Sequence, residues 1–289
     1  MSRRWREIGV TLPSFLWLTL LFLLPTLLVL AMAFKPSDGY GGMGAGWTLA
    51  TLRGLGNPSY PAIVGRTLAL SFLTTLSCVV LAVPMGYYMA RTRHTWRQVL
   101  VLLTVVPFWI CFLVRVFAWK HLLHPDGFIR HGLLALGLIG PDTMLLYTSA
   151  TVLLVMVYSH LPFAILPVFA AAEKFDFQLF EAAMDLGATR WRAFTRVFLP
   201  GIARGIGTAV LVVLIPALGS YVIPDMVGGT ESEMIGNKIA QRTFGDRNLP
   251  HACALSALLT VAVLGPLLVV VFGKARSGAP SRGVQGVRV

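Results

Sequence analysis

The side chains with catalytic potential are few, and their spacing does not assemble them. Acids gather at Glu173, Asp176, Glu181 and Asp185, the residue type that acid–base work or a bound metal would need. They stand among arginines, with no histidine in metal-ligating register beside them. The six histidines (His94, His121, His124, His131, His160 and His251) show no HExxH-type spacing. Cys78, Cys111 and Cys253 each fall inside an apolar run and read as small buried hydrophobes, not as a disulfide set or a metal site. The glycine run Gly39–Gly46 lacks the Lys-Ser/Thr of a phosphate-cradling loop and has no strand before it. The sequence therefore predicts no catalytic residue, no metal site and no cofactor in this chain. An enzyme built on the acidic cluster would have to be active alone, and nothing supplies its ligands.

Two places put polar chemistry inside apolar stretches, where charge is costly and function is the first thing to ask about. Arg115 lies in VPFWICFLVRVFAWKHLL, eight residues after Pro107. It either snorkels outward or pairs with an acid or carbonyls, or else shapes a solute route near Trp109 and Trp119. Trp119 also fits an ordinary interfacial aromatic. The second place is PALGSYVIPDMVGG, where Pro216, Gly219 and Pro224 interrupt an apolar segment. Broken backbone at membrane depth is tolerated where it is covered by protein or lines a cavity. Tyr221 and Asp225 fall one turn apart there, a ring and a carboxylate that suit a cation. Asp225 alternatively caps backbone amides at a loop start. His160 and Tyr158, before Leu161-Pro162, fit a polar patch between packed helices.

The elements that must position these residues are apolar spans arranged around one unlike stretch, EAAMDLGATRWRAFTRVFLP, Glu181 to Pro200. With the preceding FDFQLF it predicts a helix carrying Leu179, Phe180, Ala182, Ala183 and Leu186 on one docking face. Gly187 suits a sharp turn, Thr189 caps a second short helix, and Pro200 ends it. The result is a rigid elbow between two spans. Glu181 and Asp185 share a helix face and suit a partner's basic residues, or Arg190 locally.

At 289 residues, 56% apolar and 12% charged, the chain reads as an all-α polytopic membrane protein. Expected spans are about Ile8–Phe34, Ala62–Ala90, Val99–Leu123, Met144–Ala172, Ile202–Val222 and Pro250–Phe272. GFIRHGLLALGLI, after the third, is too short and polar to cross. Ala31-Met32-Ala33 resembles a signal-peptidase site. The first run nevertheless exceeds the about 7–15 residues of a signal core, so a retained span is expected. The net charge of +12 does not mark a nucleic-acid binder, because basic residues concentrate at span ends. Fifteen of the 24 Lys and Arg fall on the side of the termini and the elbow, which predicts that both are cytoplasmic. No internal duplication stands out, which argues against many secondary-transporter designs. The expected division is 1–61 (head, first span, loop), 62–272 (five spans, with the elbow at 173–200) and 273–289 (a basic, disordered tail).

The elbow resembles the EAA motif of ABC importer permeases: Glu181, Ala182 and Ala183, then Gly187 after three intervening residues, and Val197, Leu199 and Pro200 after nine more. VPFWICFLVRVFAW, LPFAILPVFAAAEKFD, LIPALGSYVIPDMVGG and MIGNKIAQRTFGDRNLP resemble the spermidine/putrescine branch. The resemblance implies a six-helix type I importer permease in the cell inner membrane. It implies pairing with a second permease, docking on an ABC ATPase dimer that binds ATP and magnesium, and delivery of solute by a periplasmic binding protein. Glu181, Ala182, Ala183, Asp185, Gly187, Leu199 and Pro200 would carry coupling; Trp109, Arg115, Trp119, Tyr221 and Asp225 would line the route. Relatives often have Glu where Ser220 stands, Asp-Trp where Asn248-Leu249 stand, and Asn near Arg130. These departures keep opine-like compounds, aminophosphonates and ferric ion open as solutes.

Overall fold

The structure, a computed structural model, describes residues 3–38, 42–140 and 142–277. The Gly39–Gly46 run falls partly outside the described residues, as does the tail beyond 277. No strand occurs among the described residues, only an isolated bridge between Ser37 and Met43. Contacts divide the chain into two units, Met1–Gly56 with Arg242–Val289, and Asn57–Gln241.

In the first unit, α1 (Thr11–Met32) packs along a long helix that starts at Leu249. A wide π turn at Thr19–Leu23 precedes Pro25, and the helix continues through it. Phe15, Trp17 and Phe22 are exposed, as suits a helix whose solvent is lipid. The start at Leu249 is tied by Asn248, whose Oδ1 accepts the His251 N–H at 3.2 Å.

In the second unit the frame is α2 (Ser59–Arg91), a helix of 33 residues. At about 1.5 Å per residue it runs roughly 50 Å, longer than a bilayer core. Its buried positions recur at three- and four-residue spacing (Ile63, Thr67, Leu70, Thr74, Cys78, Ala82, Gly86, Met89), so one face is committed to protein. Then come α3 (His94–Trp109) and α4 (Phe112–Leu122), bent by 90°. The expected interruption lies three residues beyond Pro107, where Ile110 and Cys111 are extended. The short amphipathic piece is α5 (Phe128–Ala135).

Next is α6 (Ser149–Glu173), capped by Thr148, whose hydroxyl accepts from the Thr151 N–H at 3.2 Å. It runs through Pro162 and Pro167 unbroken because neighbouring helices hold it on both sides. The elbow helices are α7 (Phe177–Asp185) and α8 (Arg190–Gly201), followed after a 68° bend by α9 (Ala203–Leu218). Short α10 (Val222–Val227) and α11 (Ile235–Ala240) complete this unit. The last long helix, α12 (Leu249–Ser277), runs past Gly273, where the tail was expected to begin.

Among the described residues three helices (α1, α2 and α6) are each long and apolar enough to cross a membrane, five if the bent pairs α3–α4 and α8–α9 each count as one span. With α12 they follow the order of the six expected spans.

Close backbone approach holds α2, α6 and α9 together. A methyl group at Gly86 would meet Val168 Cγ1 at 2.9 Å. One at Gly205 would overlap Ala171 and stand 2.9 Å from the Pro167 carbonyl. Small residues at such crossings replace the hydrophobic drive that lipid cannot supply. Two apolar clusters result. One lies toward the elbow around Cys78, Ile165, Val168 and Phe198. The other gathers Val116, Val152, Met156, Ile223 and Met234 near α4 and α10.

Candidate functional site

The elbow is built by three local devices. Asp176 caps α7, accepting the Gln178 N–H at 2.9 Å. At the other end Gly187 takes φ +86°. Its N–H reaches the Met184 carbonyl at 2.9 Å, and the Ala188 N–H reaches that of Ala183 at 3.0 Å. This is the Schellman arrangement, which a Cβ at Gly187 would strain. Thr189 then caps α8, accepting the Arg192 N–H at 3.3 Å.

Pro200 does not end this helix, contrary to expectation. A π turn at Phe194–Phe198 comes just before Leu199-Pro200-Gly201, and the chain bends only at Ile202 (φ −99°). The wide turn accommodates the missing proline N–H, which would otherwise orphan a carbonyl.

The expected docking face is divided by packing. Phe180 points inward and is 3% exposed, with Ala183 half-buried beside it. Leu179, Ala182 and Leu186 face outward with Glu181 and Asp185, and Leu186 is 90% exposed. The inward half rests on an aromatic cluster. Tyr87 of α2 meets Phe194 and Phe198 edge-on at 5.5 and 5.0 Å. Phe175 closes on Phe177 and Phe198, each at 5.3 Å. Such edge-to-face contacts add orientation to apolar burial.

Two arginines, Arg91 at the end of α2 and Arg97 in α3, clip the elbow. Arg91 sits over the rings of Tyr87, Phe177 and Phe180 at 5.6 to 5.9 Å and donates to the Tyr87 hydroxyl at 2.8 Å. Its other nitrogen approaches Glu181 at 4.0 Å, so the local partner of Glu181 is Arg91, not Arg190. Arg97 of α3 makes a 2.6 Å ion pair with Glu173 at the end of α6. No local signal marks these pairs, since Arg97 and Glu173 lie 76 positions apart and only the tertiary fold joins them.

Of the expected route residues, the structure brings some together. Tyr221 precedes α10, and its carbonyl accepts the Asp225 N–H at 3.0 Å, so the two share one turn. Both are exposed, and among the described residues the Asp225 carboxylate has no hydrogen-bond or ion-pair partner. It caps no amide. The broken backbone beneath is braced by α11. Asn237 Nδ2 donates to the Tyr221 carbonyl at 3.2 Å, and Gly236 packs against Ser220. Thr67 of α2 accepts the Ile235 N–H at 2.9 Å. These bracing residues were not singled out from sequence.

Arg115 does not snorkel. It is 8% exposed, with its guanidinium over Phe108 and Phe112 at 5.1 and 5.8 Å. Its Nε is sealed without a hydrogen bond, and no acid pairs with it among the described residues. Trp109 is instead 76% exposed at the α3–α4 break. Trp119 meets Tyr158 edge-on at 5.3 Å. Among the described residues the rings under the Arg115 guanidinium are Phe108 and Phe112, and neither indole is among them. Among the described residues no group of three His, Cys, Asp or Glu side chains is placed to hold a metal.

A capped helix, glycine turn and basic helix set between spans, with broken backbone at the opposite end of the bundle, are the parts of a solute permease. A family described as "Binding-protein-dependent transport system inner membrane component" matches residues 79–277, and the chain belongs to it. It is 35% identical over 275 residues, 95% of each chain, to the spermidine/putrescine transport system permease protein PotB of Haemophilus influenzae. PotB of Escherichia coli is 33% identical over 260 residues, 90% of this chain and 94% of its own. In fold, the chain matches a crystal structure of a bacterial ABC transporter involved in alginate import, with TM-score 0.73 and 18% identity. That match covers 96% of this chain and 100% of the other. The chain is thus a multi-pass inner-membrane permease of a binding-protein-dependent importer, and not an enzyme.

Proposed function

We propose that this permease carries polyamines or closely similar small organic cations into the cell. The observation that carries this reading is the match to spermidine/putrescine permeases along 95% of both chains. Tyr221 and Asp225 support it from the other direction, as an exposed ring and an unpaired carboxylate on one turn of broken backbone.

In this reading an ABC ATPase dimer, holding ATP and magnesium, receives the outward half of α7 (Glu181, Ala182, Asp185 and Leu186). Gly187, Leu199 and Pro200 hold that helix at its angle. Ala183 packs it inward. A second permease completes the pathway, a periplasmic binding protein delivers the solute, and both termini lie in the cytoplasm with the elbow. ATP-driven closure of the dimer would shift the permease pair between inward- and outward-facing states.

Uptake by the complete importer in proteoliposomes, with ATP inside, tests this. Expected is ATP-dependent accumulation of spermidine or putrescine. Accumulation only of opines, aminophosphonates or ferric ion would replace the solute. Uptake that follows an ion gradient and ignores ATP would overturn the mechanism.

A further inference from the structure

A groove of about 350 Å³ lies between α2, α3 and α6, and a larger one of about 930 Å³ lies beside the elbow. The larger is walled by Val80, Val83 and Pro84 of α2, Phe194 and Leu199 of α8, and Ile206 of α9. Its one charged lining residue is Arg190, with Trp191 beside it. Trp191 is 72% exposed and stacks on Phe194 at 5.9 Å, so the indole is held at the rim. From the groove the exposed apolar face of α2 continues through Leu76 and Leu73.

Charge is distributed unevenly around this groove. Of the nearby acids, Glu173 and Glu181 face Arg97 and Arg91, Asp176 caps α7, and Asp185 is exposed at the end of α7 and does not line the groove. Arg190, Arg192 and Arg196 have no acid partner among the described residues, and all three are exposed. A trough that is apolar along its length and cationic at one end, with an indole at the boundary, is complementary to an amphipathic anion. A second permease seated there would leave these guanidinium groups unpaired unless it brought carboxylates. A phospholipid brings the anion and the chain in one molecule.

We infer that the groove between α2 and α8 binds an anionic glycerophospholipid of the leaflet that faces the elbow. Its headgroup lies against Arg190 and an acyl chain runs along Val80, Val83 and Pro84. Basic pockets between membrane helices on the cytoplasmic side take such headgroups. Because Phe194 belongs to both the groove wall and the aromatic cluster under α7, the lipid stiffens the elbow. The leaflet assignment rests on the cytoplasmic placement proposed above.

The complete importer in nanodiscs provides the test, through fluorescence of Trp191 taken as the difference from a Trp191→Phe variant. Phosphatidylglycerol brominated on its acyl chain should quench this signal more than brominated phosphatidylcholine. A preference of about five-fold in association is expected for one basic contact, falling toward one in Arg190→Gln. Equal quenching by both lipids overturns the inference. So does the absence of quenching by either, which would mean that protein covers the groove. Sidedness is read separately, from labelling of Gln178→Cys in a Cys111→Ser background. Labelling from outside would sink the cytoplasmic placement and leave the quenching result standing.

Discussion

Gly187 offers the sharpest test of the elbow, because space and backbone can be separated there. A Cβ at this position would meet no heavy atom within 4 Å, so no clash contributes. The whole cost of a side chain comes from φ +86°. For an L-residue that conformation costs about 1–2 kcal/mol, and up to about 3 for a β-branched one. Gly187→Val should therefore open the turn and loosen both hydrogen bonds that close it. At about 1.4 kcal/mol per tenfold, 1–3 kcal/mol predicts a 5- to 150-fold loss of ATPase docking and coupled uptake, with membrane insertion intact. Gly187→Asn, a residue that tolerates left-handed backbone, should retain most of both. The assay is pull-down of the ATPase by the purified permease, together with solute moved per ATP hydrolysed in proteoliposomes. Normal coupling in Gly187→Val would remove this turn from the mechanism. Equal damage from Asn and Val would refute the assignment of the cost to φ.

Other outcomes follow from contacts already described. Arg97→Glu should lower coupled uptake, and Arg97→Glu with Glu173→Arg should restore part of it; the pair is part-exposed, so stability should change by only about 0.5–1 kcal/mol. Asp225→Asn should weaken cation uptake several-fold in the proteoliposome assay while ATPase pull-down stays normal; loss of both would make Asp225 structural. Arg115→Met removes a buried cation without an acid partner, so the melting temperature should hold or rise, and a fall in uptake despite that would place Arg115 on the route. Gly205→Leu should separate α6 from α9 and reduce the yield of folded protein, read by size-exclusion profile, because its side chain would enter Ala171 and the Pro167 carbonyl.

Local features were legible in the sequence. Gly187 and Thr189 announced a turn and a cap because their chemistry is confined to neighbouring residues. Apolar run length gave the order of spans for a similar reason. Pro107 marked the third-span break only approximately, since the bend is placed by extended backbone at Ile110 and Cys111. Pro200 misled because a π turn upstream can absorb a missing N–H, and no residue type announces such a turn. The docking face was misread by its burial: amphipathic spacing cannot tell that Phe180 is claimed by Tyr87, 93 positions earlier in the chain. Arg91, Arg97, Asn237 and Thr67 escaped for that reason too, as their roles exist only between segments far apart in sequence.

The interlocked rings beneath α7 carry a mechanical consequence. Six aromatic side chains from α2, the α6–α7 link, α7 and α8 hold one another at centroid distances of 5.0 to 6.0 Å. Packing of that density yields little under load. A push on the outward face of α7 is therefore not absorbed where it lands. It would be taken up instead at the sharp breaks in the helices, the 90° bend at Ile110–Cys111 and the 68° bend at Ile202, with the helices beside them as lever arms. The stroke at the far end is then set by where those bends sit, more than by how tightly the elbow is gripped.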